Sequence, residues 1–290
     1  MTILKELGKF YYIKKISKFI NSRLIYWKNK DLLSKNKKYK NLHTEKRCFI
    51  IGNGPSIKSQ DLSILKEEYT FGVNNMIVSE LYDVIEPDYY VLIDSNFFEI
   101  KSDLNEQRDL LLKKKHRPIC IFPVIKRKFI EKKGLHKKLD IIYVAYNLEN
   151  RSSYRGIRLD KFVPYSLNVI NVAIFSAIYM GFKEIYLLGV DMTNILYMYD
   201  EDYHVEDGGH FYEKDEKLKS FYKNKFKIHR NEENLKIYGR VFESLRLTND
   251  YCVKNGIKIV NLTPKSALDT FPVGKYEELF KFGKTVQHIV

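Results

Sequence analysis

Between residues 47 and 262, short apolar segments alternate with longer stretches of helical periodicity, and this alternation constrains the fold more than any other feature. The first segment has four consecutive apolar residues at 48–51, as expected of a strand that is covered on both faces. Such alternation predicts an α/β fold with a doubly wound, mostly parallel, Rossmann-like sheet. The predicted strands are 47–52, 69–74, 89–94, 117–123, 140–146, 184–190 and 257–262, and the predicted helices lie near 60–67, 97–115, 125–133, 167–181 and 232–255.

The first predicted strand runs into the turn Gly52-Asn53-Gly54-Pro55-Ser56. Its two glycines allow a sharp bend and a close approach to a ligand, and Pro55 and Ser56 suit the start of a helix. A strand, a glycine turn and a helix N-terminus together predict a site for an anionic or nucleotide ligand. The turn lacks the G-x-G-x-x-G spacing and a Walker lysine, and a tight turn without a ligand stays the alternative.

The composition indicates a folded globular protein. The chain has 290 residues, of which 44% are hydrophobic, and it contains three widely separated cysteines, Cys48, Cys120 and Cys252. These read as reduced core residues rather than as a disulfide frame or a metal cluster. No run of about eighteen apolar residues predicts a membrane span, and the N-terminus does not resemble a signal peptide.

The positive charge is concentrated at the N-terminus. Residues 1–47 hold fourteen Lys or Arg against three acidic residues, a net charge of +11 that leaves only +3 of the total of +14 for the rest. We therefore predict two parts: a basic extension and linker at 1–46, and a Rossmann-like domain at 47–290. This uneven charge argues against nucleic acid as a partner.

Residues 2–33 have apolar and aromatic side chains at near-helical spacing, with lysines between them and the single tryptophan among them. A basic amphipathic helix of this kind suits the surface of an anionic membrane, here the inner membrane through residues 1–40. Packing on the domain or on a sister subunit, with the lysines in water, is the alternative. Residues 34–46 read as a solvated linker.

The segment 192–231 is polar and aromatic, without clear periodicity. A segment of this length inside a compact domain usually has a function, and we interpret it as a lid over the site. A disordered surface insertion is the alternative, although its aromatic content speaks against that reading.

Polar side chains follow several of the predicted strands. Because ligands of open parallel sheets bind outside the carboxyl ends of the strands, these residues are candidate ligand contacts. The set is rich in amides and poor in clustered carboxylates, which favours a sugar or nucleobase over a divalent metal. Each residue also has a structural alternative, since Asn and Asp often only cap helices. The candidates are Asn53, Asn74, Asn75, Asp94, Ser95, Asn96 and Asp191.

His210 stands out among the seven histidines because it follows Gly208 and Gly209 in the predicted lid. An imidazole can remove a proton from an attacking hydroxyl at neutral pH, and the two glycines would permit hinge motion. His204 is its competitor, and a purely structural histidine is the alternative. The remaining five, His43 among them, are predicted to face solvent.

Several motifs in order resemble those of the bacterial sialyltransferases of glycosyltransferase family 42. They are Phe49-Ile50-Ile51-Gly52-Asn53-Gly54-Pro55-Ser56, Asn74, the run Gly181-Phe182-Lys183-Glu184-Ile185-Tyr186-Leu187-Leu188-Gly189-Val190-Asp191, and Gly209-His210-Phe211-Tyr212. That family is similar to a wider superfamily that includes motility-associated transferases and hydroxymethylpterin diphosphokinase-like proteins. The resemblance covers roughly 47–270 and implies a single-domain, GT-A-like variant of the Rossmann-like fold.

The resemblance implies roles for individual residues. It implies that the turn around Asn53 and the residue Asn74 bind a CMP-sugar, with Asp94, Ser95 and Asn96 lining that pocket. It implies His210 as the general base and Tyr199 as a hydrogen-bond donor to the departing phosphate.

Two positions depart from the family pattern. The second phosphate-binding tyrosine is replaced by Thr193, which the nearby Tyr197 does not clearly repair. The family's Thr-Ser-Gly at a helix start is replaced by Tyr165-Ser166-Leu167-Asn168, so that Asn168 becomes the candidate donor contact. The departures leave room for a different activated sugar.

The leading hypothesis is an inverting glycosyltransferase that needs no metal or other cofactor. It would transfer sialic acid or a related nonulosonate from a CMP-sugar to a glycan or glycolipid acceptor such as lipooligosaccharide or capsule. The protein would be cytoplasmic and peripheral on the inner membrane, and a homo-oligomer stays open. The alternatives are a pterin or nucleotide diphosphokinase and an inactive nucleotide-binding component of a glycan assembly complex.

Overall fold

The chain folds around a sheet of seven parallel strands, in a computed structural model that describes residues 16–99, 105–148, 154–198, 209–227 and 230–281. The order across this sheet is β5-β4-β3-β2-β1-β8-β9, and β6 pairs with β7 in a separate parallel ribbon. The strands are β1 (Arg47–Ile51), β2 (Tyr69–Val73), β3 (Tyr89–Val91), β4 (Ile119–Pro123), β5 (Ile141–Val144), β6 (Tyr146–Asn147), β7 (Val163–Pro164), β8 (Glu184–Leu188) and β9 (Lys258–Asn261). Each predicted strand is confirmed within three residues at either end, and so is the α/β fold class.

The order of the strands reverses at β1. The chain moves outward from β1 to β5, then returns so that β8 pairs with β1 on the other side, Arg47 opposite Glu184 and Ile51 opposite Leu188. Open parallel sheets bind ligands in the crevice at such a switch point, outside the carboxyl ends of the strands. The turn Gly52–Ser56 lies at this crevice, because it follows β1 directly.

Helices cover both faces of the sheet. The described α-helices are α1 (16–28), α2 (Lys30–Ser34), α3 (Glu80–Ile85), α4 (Asn105–Leu110), α5 (Arg127–Lys132), α6 (Val169–Met180), α7 (Glu216–Lys227), α8 (Asn231–Lys254) and α9 (Glu278–Lys281). Alternate residues of β1 point to opposite faces: Phe49 and Ile51 join one buried cluster, Cys48 and Ile50 the other. The second cluster includes most of α6, whose Gly181 ends the helix with φ +96°.

The connections after the first three strands are tighter than the sequence predicts. Short 3-10 helices directly follow β1 (Pro55–Ser59), β2 (Asn74–Val78) and β3 (Ser95–Phe98), and the helices α3 and α4 come only after the second and third of these. The predicted helix near 60–67 is likewise a 3-10 helix, Ser63–Glu67. The helix predicted at 97–115 is described only as α4.

The predicted lid contains regular structure. Residues Thr193–Met198 form a 3-10 helix and α7 lies near its end, although the sequence there shows no clear periodicity. The residues 199–208, which include Tyr199 and His204, lie outside the described part of the chain.

The prediction of a solvated linker at 34–46 is wrong. Asn36, Tyr39 and His43 are buried, and the Asn36 amide donates to the carbonyl oxygens of Tyr143 and Leu159, at 2.8 Å each. The prediction that His43 faces solvent is wrong too, because its ring packs against Phe182 and its Nε2 lies 2.6 Å from the Tyr89 hydroxyl. Ser34 is the last residue of α2, and the rest of the segment, residues 35–46, is called the strap below.

Two smaller expectations can be compared with the structure. Cys48, Cys120 and Cys252 are all buried free thiols, as predicted. Of the helices that the structure describes, none is long and apolar enough to cross a membrane.

Candidate functional site

The two glycines of the turn let β1 and β8 approach each other closely. Gly52 N donates to Leu188 O at 2.7 Å, and Gly54 N donates to Gly189 O at 2.8 Å. A Cβ at Gly52 would lie 2.3 Å from Gly189 O, so that no larger residue fits there. The glycines are therefore required by contact between two parts of the chain. The sequence, by contrast, predicts that they allow the close approach of a ligand.

Asp191, which lies just after β8, holds this turn in place through hydrogen bonds. Its carboxylate accepts hydrogen bonds from Ser56 N at 3.1 Å and from Ser56 Oγ at 2.8 Å. Burial raises the pKa of Asp191, and the bonds from Ser56 oppose that shift. The helix N-terminus that the sequence predicted as an anion site is thus occupied by a carboxylate of the chain itself.

Asn53 stands between the fixed glycines and presents an amide oxygen to the crevice. Its Nδ2 donates to Val73 O at 3.1 Å, at the end of the neighbouring β2. Its Oδ1 is buried and meets no hydrogen-bond donor among the described residues. A buried acceptor without a donor costs about 1–3 kcal/mol, which keeps Asn53 Oδ1 a candidate for a ligand contact.

Asn74 offers a second amide oxygen in the same way. It has a left-handed backbone, φ +47°, a conformation that Asn tolerates better than most residues. The Tyr90 hydroxyl holds it there by donating to Asn74 O at 2.6 Å. Asn74 Oδ1 is buried and finds no donor in the part of the chain that the structure describes.

A backbone hydrogen bond of the next residue places His210 beside the turn after β1. The next residue, Phe211, donates its N–H to Asn53 O at 3.1 Å, which ties the end of the lid to the turn after β1. The His210 ring lies 5.1 Å from the ring of Tyr212, and His210 lines the same cavity as the two asparagines. The backbone hydrogen bond joins Asn53 and Phe211, which lie 158 residues apart in sequence.

Other candidates serve as helix caps while lying at the cavity. Asp94 accepts from Asn96 N at 3.0 Å and from Asn96 Nδ2 at 2.9 Å, which caps the 3-10 helix after β3. Asn168 Oδ1 accepts from Ile170 N at 2.7 Å and caps α6. Asp94 and Asn168 therefore act as helix caps, which is the structural alternative expected for such residues. Both also line the cavity.

One cavity of about 640 Å³ gathers most of the predicted site residues at the carboxyl ends of β1, β2, β3 and β8. The predicted residues that line it are Gly52, Asn53, Gly54, Asn74, Asp94, Ser95, Asn168, Asp191, Thr193 and His210. Pro55, Ser56 and Asn96 do not line it, and Tyr199 lies outside the described residues. Asn75 is buried under the turn after β2.

Sequence reasoning missed the opposite wall of the cavity. Tyr146, in the ribbon after β5, lines it, and its hydroxyl is buried without a hydrogen-bond partner in the described chain. Burial raises the pKa of Tyr146, so the phenol is neutral at physiological pH. Three further lining residues, Ile237, Tyr238 and Val241, come from α8. Only the tertiary fold brings the α8 residues to the site, whereas Tyr146 comes two residues after β5, at the end of the strand predicted at 140–146.

The charged groups at the cavity are few. Asp94 and Asp191 line it, and each carboxylate already accepts hydrogen bonds from the chain. Over the described residues, the lining includes neither lysine nor arginine, and no group of three His, Cys, Asp or Glu is placed to hold a metal ion. The cavity as described therefore offers mainly amide, hydroxyl and imidazole groups.

Comparison with known proteins places the chain in a family. The family described as 6-hydroxymethylpterin diphosphokinase MptE-like matches residues 19–195. No curated protein is significantly similar to the chain in sequence. The wider superfamily expected from the motifs is thereby confirmed.

Solved structures of one sialyltransferase are also similar to the chain. The sialyltransferase CstII from Campylobacter jejuni, in complex with cytidine-5'-monophosphate, is 18% identical with a TM-score of 0.44, over 79% of this chain and 85% of that one. A mutant of the α-2,3/8-sialyltransferase CstII is 18% identical with a TM-score of 0.45, over 79% of this chain and 86% of that one.

Proposed function

We propose that the chain, which belongs to the MptE-like family, is a glycosyltransferase with a CMP-sugar donor. The donor sugar we propose is sialic acid or a related nonulosonate, and the acceptor a glycan or glycolipid of the lipooligosaccharide or capsule kind. The protein would work in the cytoplasm, with neither a metal nor another cofactor.

The observation that carries the proposal is the set of buried polar atoms around one cavity. Asn53 Oδ1, Asn74 Oδ1 and the Tyr146 hydroxyl all lack partners within the described residues, and His210 lies beside them. Native structures rarely leave several buried polar atoms unpaired in one place unless a ligand or water completes them. Two acceptors and a hydroxyl suit the amino and hydroxyl groups of a nucleoside and a sugar.

In this proposal His210 removes the proton from the acceptor hydroxyl as its oxygen attacks the anomeric carbon. The bond between that carbon and the CMP phosphate oxygen breaks, CMP leaves with the electron pair, and the anomeric centre is inverted. The backbone bond from Phe211 to Asn53 fixes the distance between this base and the donor site. Thr193, and Tyr199 as the resemblance implies, would face the departing phosphate.

Donor binding can be tested by thermal shift and calorimetry with CMP, UDP and GDP sugars. We expect CMP compounds to bind, and Asn53→Ala or Asn74→Ala to weaken binding about tenfold each, the effect of one lost hydrogen bond of roughly 1.4 kcal/mol. Asn255→Ala, at the exposed end of α8, is the matched control and should bind as the wild type does. Tight binding of UDP or GDP sugars alone would refute the CMP assignment.

The catalytic role of His210 needs a separate measurement. His210→Ala should lower transfer by about 10²–10⁴-fold and leave CMP binding nearly unchanged, because a general base acts in the transition state. His136→Ala, which removes an exposed histidine on another part of the surface, is the control. Transfer at the normal rate by His210→Ala would exclude this residue as the base.

The family match itself favours a second candidate, a pterin or nucleotide diphosphokinase. Phosphoryl transfer from ATP needs Mg²⁺ and carboxylates to hold it. The two described carboxylates at the cavity are engaged with Ser56 and Asn96, which is why we rank this candidate second. Loss of all activity in EDTA, restored by Mg²⁺ and ATP, would reverse that ranking.

A third possibility is an inactive nucleotide-binding component of a glycan assembly complex, in which the departures at Thr193 and Leu167 have abolished transfer. Tight CMP binding without hydrolysis of any CMP-sugar, in the presence of candidate acceptors, is the result that would favour it over both enzymes.

A further inference from the structure

The N-terminal helix α1 has two different faces. Its inner face packs on the domain: Ser22 is buried, and its hydroxyl accepts a hydrogen bond from Leu148 N at 2.9 Å. On the same side the Tyr26 ring lies 5.1 Å from the ring of Phe162. These contacts fix the rotation of α1, so the direction of its other face is determined as well.

The outer face of α1 carries a stripe of exposed apolar side chains. At 3.6 residues per turn most members of this stripe fall on neighbouring turns roughly opposite Ser22, and Phe19 lies at the edge of the stripe nearer to Ser22. The most exposed is Trp27, which keeps 66% of its surface accessible. We call these residues the outer stripe: Ile16, Phe19, Ile20, Leu24 and Trp27.

Positive charges border the outer stripe. Arg23, Lys28 and Lys30 are exposed on the same helix or directly after it, and the Lys30 ammonium lies 5.3 Å from the centre of the Trp27 ring. The segment as a whole belongs to the part of the chain that carries a net +11. An apolar stripe edged by lysine and arginine, with a tryptophan at its rim, suits the boundary between anionic headgroups and acyl chains.

We propose that the outer stripe of α1 docks the protein on an anionic lipid surface. The stripe would enter the headgroup region, while Lys28 and Lys30 contact lipid phosphates; the Arg23 guanidinium lies over the Phe162 ring on the domain side. The charge favours this occupant over a second copy of the chain, because two copies would bring two strongly basic helices together. Docking depends only on α1, so it stands or falls independently of the reaction proposed above.

The single tryptophan of the chain gives a direct measurement. When vesicles of phosphatidylglycerol and phosphatidylcholine are added to the full-length protein, Trp27 emission should move to shorter wavelength. The protein should sediment with these vesicles several-fold more than with phosphatidylcholine alone, and less as salt is added. Emission and sedimentation that are unchanged by anionic vesicles would overturn the proposal.

A charge-matched pair of variants separates docking from a general effect of charge. Leu24→Glu places a carboxylate in the outer stripe, and Val253→Glu places one at a position on α8 that is 72% exposed. Both side chains lie at the surface, so neither substitution removes a core contact. We expect Leu24→Glu to lower vesicle binding at least several-fold and Val253→Glu to leave it near the wild-type level.

Light scattering tests the competing occupant. If Leu24→Glu converts a dimer to a monomer and binds anionic vesicles as well as the wild type does, the outer stripe is an interface between copies and the lipid proposal is wrong. If the oligomeric state is the same in both proteins and only vesicle binding falls, the lipid surface is the occupant.

Discussion

At the cavity, polar side chains that are satisfied within the fold differ from those that are buried without a hydrogen-bond partner among the described residues. Asp191 and Ser56 satisfy each other, and Asp94 is satisfied by Asn96, so these side chains already contribute to the fold without a ligand. Asn53 Oδ1, Asn74 Oδ1 and the Tyr146 hydroxyl are buried without that compensation in the described chain. Buried atoms of this second kind lower stability unless a ligand completes their hydrogen bonds.

Tyr146→Phe tests this distinction. Removing an unpaired buried hydroxyl should leave the ligand-free protein as stable as the wild type, or more stable by up to about 1 kcal/mol, because no hydrogen bond is lost. The same change should weaken ligand binding about tenfold if the hydroxyl serves the ligand. Urea unfolding without ligand and calorimetry with CMP measure the two effects. A variant that loses stability but binds normally would mean that the hydroxyl has a structural partner.

Gly54→Ala tests whether the turn depends on contact between β1 and β8. A Cβ at Gly54 would lie 1.7 Å from Asp191 Oδ2 and would displace the carboxylate from Ser56. We expect a loss of at least about 2 kcal/mol in the free energy of unfolding, within the range of overpacked cores. Gly239→Ala, where nothing lies within 4 Å on α8, should instead stabilise by up to about 1 kcal/mol. Equal stability of the two variants would show that the turn is free to shift.

At the level of elements, the strap explains how the N-terminal part is joined to the sheet. Asn41 N donates to Tyr179 O at 3.1 Å and His43 N to Met180 O at 2.8 Å, which places the strap against the end of α6. From β5 the Tyr143 carbonyl accepts from Asn36. The strap is therefore held to α6 by two backbone hydrogen bonds and to β5 by the Asn36 side chain, contacts that its lysine-rich sequence does not reveal.

His43 makes the stability of the strap depend on pH. Burial lowers the pKa of His43 below its ordinary value, and the charge of Asp88 opposes that shift only in part. Below an ordinary histidine pKa the unfolded chain therefore binds a proton that the folded chain does not, so stability falls as the pH falls from about 7 toward the lowered pKa. The effect amounts to about 1.4 kcal/mol for each unit by which the two pKa values differ.

Unfolding in urea at pH 7.5 and pH 5.5 checks this prediction. His43→Phe fits the ring among Phe182 and Tyr69 without a titratable group, so it should remove this part of the pH dependence. His136→Ala, at an exposed histidine, should keep it. A pH dependence that survives in His43→Phe would assign it to other groups.

The elements differ in how far the sequence predicts them, for physical reasons. The strands were predicted well because strands buried on both faces are continuous apolar runs, as at Ile141–Val144. The 3-10 helices after β1, β2 and β3 were missed because they are too short to show a period of 3.6 residues. Helix α7 was missed because apolar residues are a minority in its sequence, EKLKSFYKNKFK, even though they recur at helical spacing and Leu218 is buried. The strap was predicted to be solvated because its buried side chains, Asn36, Tyr39 and His43, stand among lysines.

The site was predicted only where it follows the sheet. Asn53, Asn74 and His210 were found from turns and from a resemblance, and the structure brings them to one cavity. The wall from α8 was missed because no local pattern marks a side chain that reaches a site from another layer. Tyr146 was missed because it reads as the last residue of the strand predicted at 140–146, although it comes two residues after the end of β5. The pairing of Ser56 with Asp191, 135 residues apart, is a tertiary contact of the same kind.

On the scale of the whole molecule, the question is where the folding unit begins. The sequence placed its start at residue 47, where β1 begins and the basic extension ends. In the structure α1, α2 and the strap cover the sheet, with Leu33 fully buried in the same cluster as Phe49. The family match begins at residue 19, inside α1. These observations together predict that residues before 47 are part of the fold.

Truncation tests this prediction. A chain of residues 16–290 keeps every contact named above and should unfold within about 2 °C of the full-length protein, which is about the shift that a loss of 1 kcal/mol produces in a domain of this size. A chain of residues 47–290 loses Leu33, the Asn36 amide and the His43 ring, each buried. It also leaves the carbonyl oxygens of Tyr143 and Leu159 without the Asn36 donor. Losses of this kind cost about 2–5 kcal/mol for the leucine and 1–3 kcal/mol for each stranded polar group, which approaches the whole stability of a domain. We therefore expect 47–290 to be insoluble or molten by circular dichroism and calorimetry, whereas equal melting of both truncations would place the start of the folding unit at residue 47.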